Sequence, residues 1–151
     1  MELKTGNAVP NFVGTDANGS QFDSKNYVGK QALVIYFYPK DETPGCTAEA
    51  CSFRDNYQVF KDMGAEIIGI SSDSVASHQK FIKKHQLPFI LLSDFDKKIR
   101  KLFGVPSDLF GILPGRVTYI IDKEGVVRLV FNSMNGKSHI TKAMAMLKTM
   151  L

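Results

Sequence analysis

The feature that most constrains the fold is a continuous apolar stretch, ALVIYFY, at residues 32–38, which is followed by Pro39. The stretch is rich in β-branched and aromatic residues, and it is far too short to cross a lipid bilayer. A strand that is apolar at every position must be covered on both of its faces. The stretch therefore predicts a strand in the middle of a sheet.

The segments that follow alternate between helical and strand patterns. Apolar residues recur at spacings of three and four in a helical pattern that stops at Gly64: Cys46, Ala50, Phe53, Tyr57 and Phe60. Residues 65–71 and 88–93 then predict two buried strands, and residues 72–86 between them predict a helix capped near Ser72 to Ser74. Because strands and helices alternate, we expect these strands to pair in parallel.

Two hairpins flank this parallel region. Asn18 and Gly19 suit the tight turn of an N-terminal hairpin, and residues 116–122 and 126–131 predict a second one. A short helix near residues 96–103 and a final amphipathic helix complete the pattern; the apolar positions of the final helix are Ile140, Ala143, Met144 and Leu147. The sequence thus predicts an α/β, thioredoxin-like fold, with a central mixed β-sheet flanked by helices and an N-terminal β-hairpin. Other α/β sandwiches fit the same order of elements.

An irregular segment, residues 105–115, interrupts this order and carries several apolar residues: Leu109, Phe110, Ile112 and Leu113. Apolar residues on a loop either tuck into the core or line the mouth of a site, and the sequence leaves both open. No internal repeat or linker divides the chain, so residues 1–151 are predicted to form one domain.

Overall composition excludes several classes of function. The 19 basic and 15 acidic residues give a net charge of +4 and are spread along the chain, so we expect no nucleic-acid partner. The N-terminal MELKTGNAVP lacks the basic and apolar regions of an export signal, which predicts no membrane association and a cytoplasmic location. In a reducing compartment, a close pair of cysteines is more often reactive or metal-binding than structural.

Both cysteines of the chain lie in one segment, YPKDETPGCTAEAC, at residues 38–51. Thr43 is a favourable N-cap and Pro44 suits the first helical position, which places Cys46 at the third. Free backbone N–H groups and the positive end of the helix dipole favour a thiolate there. Gly45 lets a small substrate approach the backbone. Alternatively, Cys46 is simply a small buried residue of the apolar stripe.

The spacing of Cys46 and Cys51 argues against a static disulfide. Five helical residues separate the Cα atoms by roughly 8.6 Å, whereas a disulfide needs them within about 7 Å. The two cysteines therefore either never bond or bond only after the first helical turns unwind; Cys51 can also be a passive residue on the helix flank. The histidines show no zinc-site spacing, so we predict no metal and no cofactor, and we expect His78 and His85 to face solvent.

The segment PKDETPGC, residues 39–46, resembles the P-x-x-x-T-x-x-C signature of the peroxiredoxins. The following TAEACSFRD, with a cysteine five residues after the first, is similar to the peroxiredoxin Q group, also called bacterioferritin comigratory proteins. The similarity extends to GRVTYIID at residues 115–122. The order of elements agrees with this family over essentially the whole chain.

The resemblance implies an antioxidant, thiol-dependent peroxidase that reduces hydrogen peroxide and organic hydroperoxides. Cys46 would attack the peroxide and become a sulfenic acid, and Cys51 would resolve it as an intramolecular Cys46–Cys51 disulfide. The resemblance further implies thioredoxin or glutaredoxin as reductant, and we expect a monomer.

Four other residues take roles that the resemblance implies. Thr43 would hydrogen-bond the peroxide, Pro39 would shield the site, and Arg116 would reach in from its strand. Glu49 would orient that arginine. These roles suit the chemistry, because attack on a peroxide moves negative charge onto the departing oxygen and requires donors where that charge develops. Without the resemblance, a surface charge at the start of a strand is the favoured interpretation of Arg116, and Thr43 is a plain helix cap, which it can be at the same time.

Two other functions use the same residues. A dithiol-disulfide oxidoreductase of the same fold is one, although such enzymes generally use a Cys-x-x-Cys pair. A non-enzymatic redox sensor is the other, in which a disulfide changes the helix surface and a partner contact. Turnover separates them, because a sensor needs one oxidation event whereas a peroxidase consumes many equivalents.

Overall fold

A mixed seven-stranded sheet forms the centre of the protein in a computed structural model that describes residues 2–108 and 113–151. The strand order is β2-β1-β5-β4-β3-β8-β9, and β6 and β7 pair separately. The strands are β1 (Val13–Asp16), β2 (Gln21–Asp23), β3 (Ala32–Phe37), β4 (Ala65–Ser71), β5 (Ile90–Ser93), β6 (Ser107–Asp108), β7 (Leu113–Pro114), β8 (Val117–Ile121) and β9 (Val127–Asn132).

The apolar stretch at residues 32–38 forms the central strand, as predicted. All six residues of β3 are buried, and the strand pairs in parallel with β4 and antiparallel with β8. The strands β4 and β5 are also parallel, and the two predicted hairpins, β1–β2 and β8–β9, are present. At the first turn Gly19 has a φ of 79°, which glycine adopts without strain.

Helices cover both faces of the sheet. They are α1 (Pro44–Asp55), α2 (Tyr57–Asp62), α3 (Val75–His85), α4 (Lys98–Phe103) and α5 (Gly136–Thr149). One core cluster joins the sheet to Phe53 of α1, Phe81 of α3 and Leu147 of α5, and a second lies on the opposite face against Phe103 of α4. The mixed sheet flanked by helices agrees with the predicted fold class.

The predicted helix from Cys46 to Gly64 is wrong in one respect, because it is broken at Asn56. Asn56 has φ −111° and ψ 9°, outside the helical region, and its side-chain amide donates to the Ser52 carbonyl at 2.8 Å. The helix α2 then starts at Tyr57 and also buries an apolar residue, Phe60. The apolar spacing continues across the break, which is why the sequence pattern does not reveal it.

The segment predicted to be irregular contains the short antiparallel pair β6–β7. The predicted roles of Leu109, Phe110 and Ile112 lie outside the described residues, and so does the side chain of Leu113. Within the described parts of the chain, no helix combines the length and the apolar character that crossing a membrane requires.

Candidate active site

Cys46 lies in the first turn of α1, at the third helical position, with 1% of its surface exposed. Thr43 occupies the N-cap position with an extended backbone, and Pro44 begins the helix. The Thr43 side chain does not cap the helix, however. Its hydroxyl donates to the carbonyl of Lys40 at 2.8 Å, so its lone pairs remain able to accept a hydrogen bond.

Arg116 is the cation of the site. One guanidinium nitrogen, Nη2, lies 3.3 Å from the Cys46 sulfur, and Nη1 donates to Oε1 of Glu49 at 2.5 Å. The third nitrogen, Nε, donates to the carbonyl of Met134 at 3.1 Å, so the guanidinium is held on three sides. Burial acts against its charge, but Glu49 and the Cys46 sulfur outweigh burial and raise the pKa of Arg116. Arg116 is therefore a permanent cation beside the sulfur.

The sheet register explains how residues far apart in sequence meet. The strands β3 and β8 pair antiparallel, with Phe37 opposite Val117. The loop that leaves β3 through the half-buried Pro39 and the residue that precedes β8, Arg116, therefore lie at the same edge of the sheet. The helix α1 starts from that loop, which brings Cys46 to the arginine.

Glu49, one turn after Cys46, is completely buried. Burial raises the pKa of its carboxyl group to about 8, although the neighbouring Arg116 acts in the opposite direction. One oxygen accepts from Arg116; the other, Oε2, has no hydrogen-bond partner among the described residues and lies 3.7 Å from Nδ1 of His139. The burial of the carboxyl group thus disfavours its charged form.

His139 of α5 is a buried part of the site that the sequence did not reveal. Its Nε2 donates to the carbonyl of Ser133 at 2.7 Å, and its Nδ1 accepts from the Thr118 hydroxyl at 2.7 Å. Burial lowers the pKa of His139 to about 4, so the ring is neutral and forms no ion pair with Glu49. The histidine fixes the chain at Ser133, next to the carbonyl that binds Arg116. Its position beside Ile140 on the buried side of the last helix was the only available signal.

Two glycines make room for this arrangement. A Cβ atom on Gly45 would lie 3.1 Å from Nη2 of Arg116, and a Cβ atom on Gly136 would lie 2.7 Å from the Gly45 carbonyl oxygen. The Gly136 distance is shorter than side chains tolerate, so glycine is required there for the starts of α1 and α5 to approach each other, whereas a Cβ atom on Gly45 would crowd the end of the Arg116 side chain. The sequence suggested Gly45 as the place where a substrate approaches; its close neighbour in the structure is the arginine.

The loop before α1 is anchored by Asp41, which the sequence analysis did not single out. Its carboxylate accepts from the Tyr38 hydroxyl at 2.5 Å, the Ser77 hydroxyl at 2.8 Å and Nδ1 of His78 at 2.7 Å. The other nitrogen of His78 contacts the carbonyl of Leu92 at 3.0 Å. The expectation that His78 faces solvent is wrong: it is fully buried because it ties the loop to α3 and β5.

Within residues 2–108 and 113–151, one group of side chains has the spacing of metal ligands: Asp41, Asp73 and His78. The ligand atoms of this group are already engaged in hydrogen bonds. Asp73 accepts from the Ser71 hydroxyl at 2.6 Å and from the Asp41 backbone N–H at 2.8 Å. The group is accounted for as a hydrogen-bond network that holds the loop.

Cys51 has different surroundings on the same helix. Both cysteines are free, and Cys51 is partly exposed. Its sulfur lies 3.9 Å from Nδ1 of His85, the last residue of α3. His85 was expected to face solvent, but only 18% of its side chain is exposed, because the ring packs edge-on against Phe81 at a centroid distance of 5.2 Å.

Comparison with known proteins identifies the family. The AhpC/TSA family model matches residues 5–130. The chain belongs to this family. Peroxiredoxin Q from Populus jackii is 49% identical to this peroxiredoxin over 150 residues, which cover 99% of this chain and 70% of that protein. The crystal structure of peroxidoxin BcpB from Mycobacterium tuberculosis covers 99% of both chains, with 35% identity and a TM-score of 0.91.

A bacterioferritin comigratory protein from Xanthomonas campestris is also similar, with 34% identity, a TM-score of 0.83 and coverage of 91% of this chain and 90% of that one. The resemblance to the peroxiredoxin Q group and the thioredoxin-like fold of this peroxiredoxin are therefore confirmed. It is an enzyme, a thiol-dependent peroxidase. The family acts on peroxide substrates with thioredoxin-type reductants.

The expected cytoplasmic location is wrong. The curated relatives from Populus jackii, Sedum lineare and Arabidopsis thaliana are all named chloroplastic. The expectation came from the first residues of the sequence. The first residues are not evidence for a location, because the match covers 70% of the poplar protein and a targeting segment of such a protein can lie outside the matched part.

Proposed function

We propose that Cys46 is the nucleophile of this peroxidase and that Arg116 is the group that stabilises its thiolate and the transition state. The observation that carries the proposal is the 3.3 Å contact between Nη2 of Arg116 and the Cys46 sulfur. It combines with the position of the sulfur in the first turn of α1, where the helix dipole also favours negative charge. A cysteine that was only a core residue would need no buried arginine.

In the first step the Cys46 thiolate attacks one oxygen of the hydroperoxide. An S–O bond forms and the O–O bond breaks, so the sulfur is oxidised to a sulfenic acid and the other oxygen leaves as an alkoxide or hydroxide that takes up a proton. The Arg116 guanidinium lies where this negative charge develops and is already fixed by Glu49 and the Met134 carbonyl. Glu49 thus positions the arginine without touching the substrate.

Thr43, Pro39 and Gly45 are proposed to shape the substrate site. The Thr43 hydroxyl donates to the Lys40 carbonyl, so it is oriented to accept the O–H of a hydroperoxide. Pro39 fixes the backbone at the end of the central strand and shields the sulfur. Gly45 leaves the backbone next to Arg116 uncovered.

The burial of Cys46, with 1% exposure, favours a substrate whose reactive end is as small as an O–OH group. Hydrogen peroxide and organic hydroperoxides both have such an end. The Xanthomonas campestris protein is described by its alkyl peroxide reduction activity, which supports organic hydroperoxides as substrates here.

Cys51 is proposed to resolve the sulfenic acid, with thioredoxin or glutaredoxin reducing the resulting disulfide. Both cysteines belong to α1, whose geometry holds their Cα atoms about 8.6 Å apart, so the first turns must unwind before a bond forms. We further propose that the whole chain acts as one domain and as a monomer, since both cysteines come from the same helix and the cycle needs no second copy.

The test is stopped-flow consumption of hydrogen peroxide and of an alkyl hydroperoxide, with thioredoxin and glutaredoxin as alternative reductants. We expect Cys46→Ser to abolish consumption. We expect Cys51→Ser to consume one equivalent and then to stall, because the sulfenic acid forms but is not converted to a disulfide. Full turnover in both variants would refute the assignment, and peptide mapping of the oxidised wild type should show the Cys46–Cys51 bridge.

A further inference from the structure

A second polar cluster lies on the flank of α1, away from Arg116, and consists of Cys51, His85 and Glu42. The Cys51 sulfur is 3.9 Å from Nδ1 of His85, and Nε2 of the same ring is 3.0 Å from Oε1 of Glu42. The other Glu42 oxygen accepts from Lys84 at 2.9 Å. A thiol, an imidazole and a carboxylate are therefore aligned in that order.

The alignment fixes where the imidazole carries its proton. The hydrogen bond from Lys84 lowers the pKa of Glu42, so the carboxylate is ionised and can only accept. The nitrogen that faces Glu42, Nε2, must therefore be the donor. In the neutral ring this leaves a lone pair on Nδ1, directed at the Cys51 sulfur, which is the tautomer that can take a proton from a thiol.

The position of Glu42 is unusual for a residue with a side chain. Its φ is 66°, in the left-handed region that non-glycine residues rarely adopt. The preceding residue, Asp41, is anchored by its buried hydrogen bonds to Tyr38, Ser77 and His78, so the loop can hold this conformation. Strain of this kind is concentrated at functional sites. Here it directs the carboxylate to His85.

Of the other groups packed around His85, Arg54 is the charged one that also acts on the Cys51 sulfur. Arg54 of α1 donates to the His85 carbonyl at 2.8 Å, and its guanidinium is paired with Asp55 at 2.9 Å. Asp55 foremost, and the nearby Cys51 sulfur as a further cause, raise the pKa of Arg54. The ring of Phe81 also packs against the imidazole, edge to face, and it carries no charge.

We propose that His85 is the catalytic base of the resolving step and that Glu42 is its positioning residue; this rests on the proposed function of Cys51. The S–H proton of Cys51 passes to Nδ1 of His85, and the thiolate is released when the first turns of α1 unwind. It attacks the sulfur of the Cys46 sulfenic acid, an S–S bond forms, and the S–O bond breaks. Cys51 is oxidised, Cys46 is reduced, and the departing hydroxide takes up a proton and leaves as water.

The direct test measures Cys51 alone, in a Cys46→Ser background where it is the remaining thiol, by iodoacetamide alkylation across a pH series. Replacing the base by His85→Asn should slow alkylation at pH 7 about tenfold and move the profile to higher pH by about one unit. Glu42→Gln should give a smaller shift in the same direction, with His85 still present. Lys83→Ala, an exposed change on the same helix, is the matched control and should change nothing.

Identical alkylation rates and pH profiles in wild type and His85→Asn would overturn the proposal. Circular dichroism and thermal unfolding of each variant establish that α3 is intact. If His85→Asn does not fold, Glu42→Gln provides the test, because it leaves every atom of His85 in place. An alkylation profile of Glu42→Gln identical to that of the wild type would then overturn the proposal.

A second measurement separates this proposal from that for Cys51 itself. Quenched-flow mass spectrometry after one equivalent of peroxide, with a sulfenic-acid trap, gives the lifetime of the Cys46 sulfenic acid. We expect an unchanged rate of formation and a lifetime about tenfold longer in His85→Asn. If Cys51→Ser lengthens the lifetime but His85→Asn does not, only the role of His85 fails. If Cys51→Ser has no effect, the proposed function of Cys51 fails.

Discussion

The two cysteines lie on one helix, five residues apart, yet they have opposite surroundings. Cys46 is buried and contacts a guanidinium that is a permanent cation, whose partners are the buried Glu49 and a backbone carbonyl. Cys51 is partly exposed and faces an imidazole, whose partner is the exposed carboxylate of Glu42. The same residue type is thus paired with a fixed charge in one place and with a titratable base in the other.

This difference corresponds to what each sulfur must do. A sulfur that attacks a peroxide does so as a thiolate, and an always-protonated arginine beside it stabilises that negative charge. In the proposed cycle the Cys51 sulfur acts once per turnover and only after the helix opens, so a base that takes up and returns a proton suffices. The buried site depends on preorganised electrostatics, and the exposed site depends on proton transfer.

The largest expected effect comes from removing the fixed charge. We expect Arg116→Met to slow sulfenic acid formation by roughly 10²–10³-fold, and to leave the alkylation profile of Cys51 unchanged. Stopped-flow peroxide consumption under single-turnover conditions measures the first, and alkylation in a Cys46→Ser background measures the second. Arg128→Met is the matched control, because Arg128 on β9 is half exposed and pairs with Asp122, which follows the end of β8 opposite to Arg116. If Arg116→Met slowed sulfenic acid formation by less than about tenfold, the fixed charge of Arg116 would not distinguish the Cys46 site from the Cys51 site.

A second prediction concerns pH, because the two sites bury charge to different degrees. The pKa of Glu49 is about 8 in the folded chain and 4.5 in its ordinary state, so between these values the folded chain retains a proton that the unfolded chain has lost. This contribution to stability is complete below pH 4.5 and is lost as pH rises to about 8. The slope approaches about 1.4 kcal/mol per pH unit in that window.

Urea unfolding at several pH values between 5 and 8 measures this slope. Glu49→Gln should flatten it, because glutamine does not titrate, while Glu42→Gln at the exposed site should leave it as in the wild type. The contribution of His139 is lost in the opposite direction, as pH falls from 6.5 to about 4, and it is common to all three proteins. If the free energy of unfolding depended on pH in the same way in wild type and Glu49→Gln, burial would not be raising the pKa of the Glu49 carboxyl group.

The smallest expected effect is at the rim of the exposed site. Lys84→Ala removes the ion pair with Glu42, which is open to solvent, so we expect the free energy of unfolding to change by less than about 1 kcal/mol. The Glu42–His85 contact remains, and the alkylation rate of Cys51 should stay within about twofold of the wild type. If Lys84→Ala slowed the alkylation of Cys51 as much as His85→Asn does, the role that we give to His85 would belong to Lys84.

Much of the fold was predictable because it depends on local patterns. The buried run at residues 32–38 defined the central strand, and the turn at Asn18–Gly19 defined the first hairpin. The break at Asn56 was not predictable, because the apolar spacing that signals a helix continues through it. Of the site, the segment from Pro39 to Cys51 was recognisable as a motif, since its residues are adjacent in the chain.

Arg116 was predicted through the resemblance, but His139 and His78 escaped sequence analysis because their partners are distant. His139 meets Thr118 across 21 positions, and His78 meets Asp41 across 37. The sequence around a histidine on a helix does not indicate which carbonyl or carboxylate its side chain will contact. The expectation that His78 and His85 face solvent was wrong for this reason.

By itself, the sequence determined the order of strands and helices apart from the break at Asn56, the placement of Cys46 in the first turn of a helix, and a spacing that prevents Cys51 from bonding while that helix is intact. These follow from the alternation of apolar residues and from the geometry of the helix, which are properties of neighbouring positions. Only the tertiary structure decided that one sulfur receives a guanidinium and the other an imidazole. That choice depends on which strand edge and which helix end pack against α1, and thus on contacts 34 and 70 positions apart in the chain.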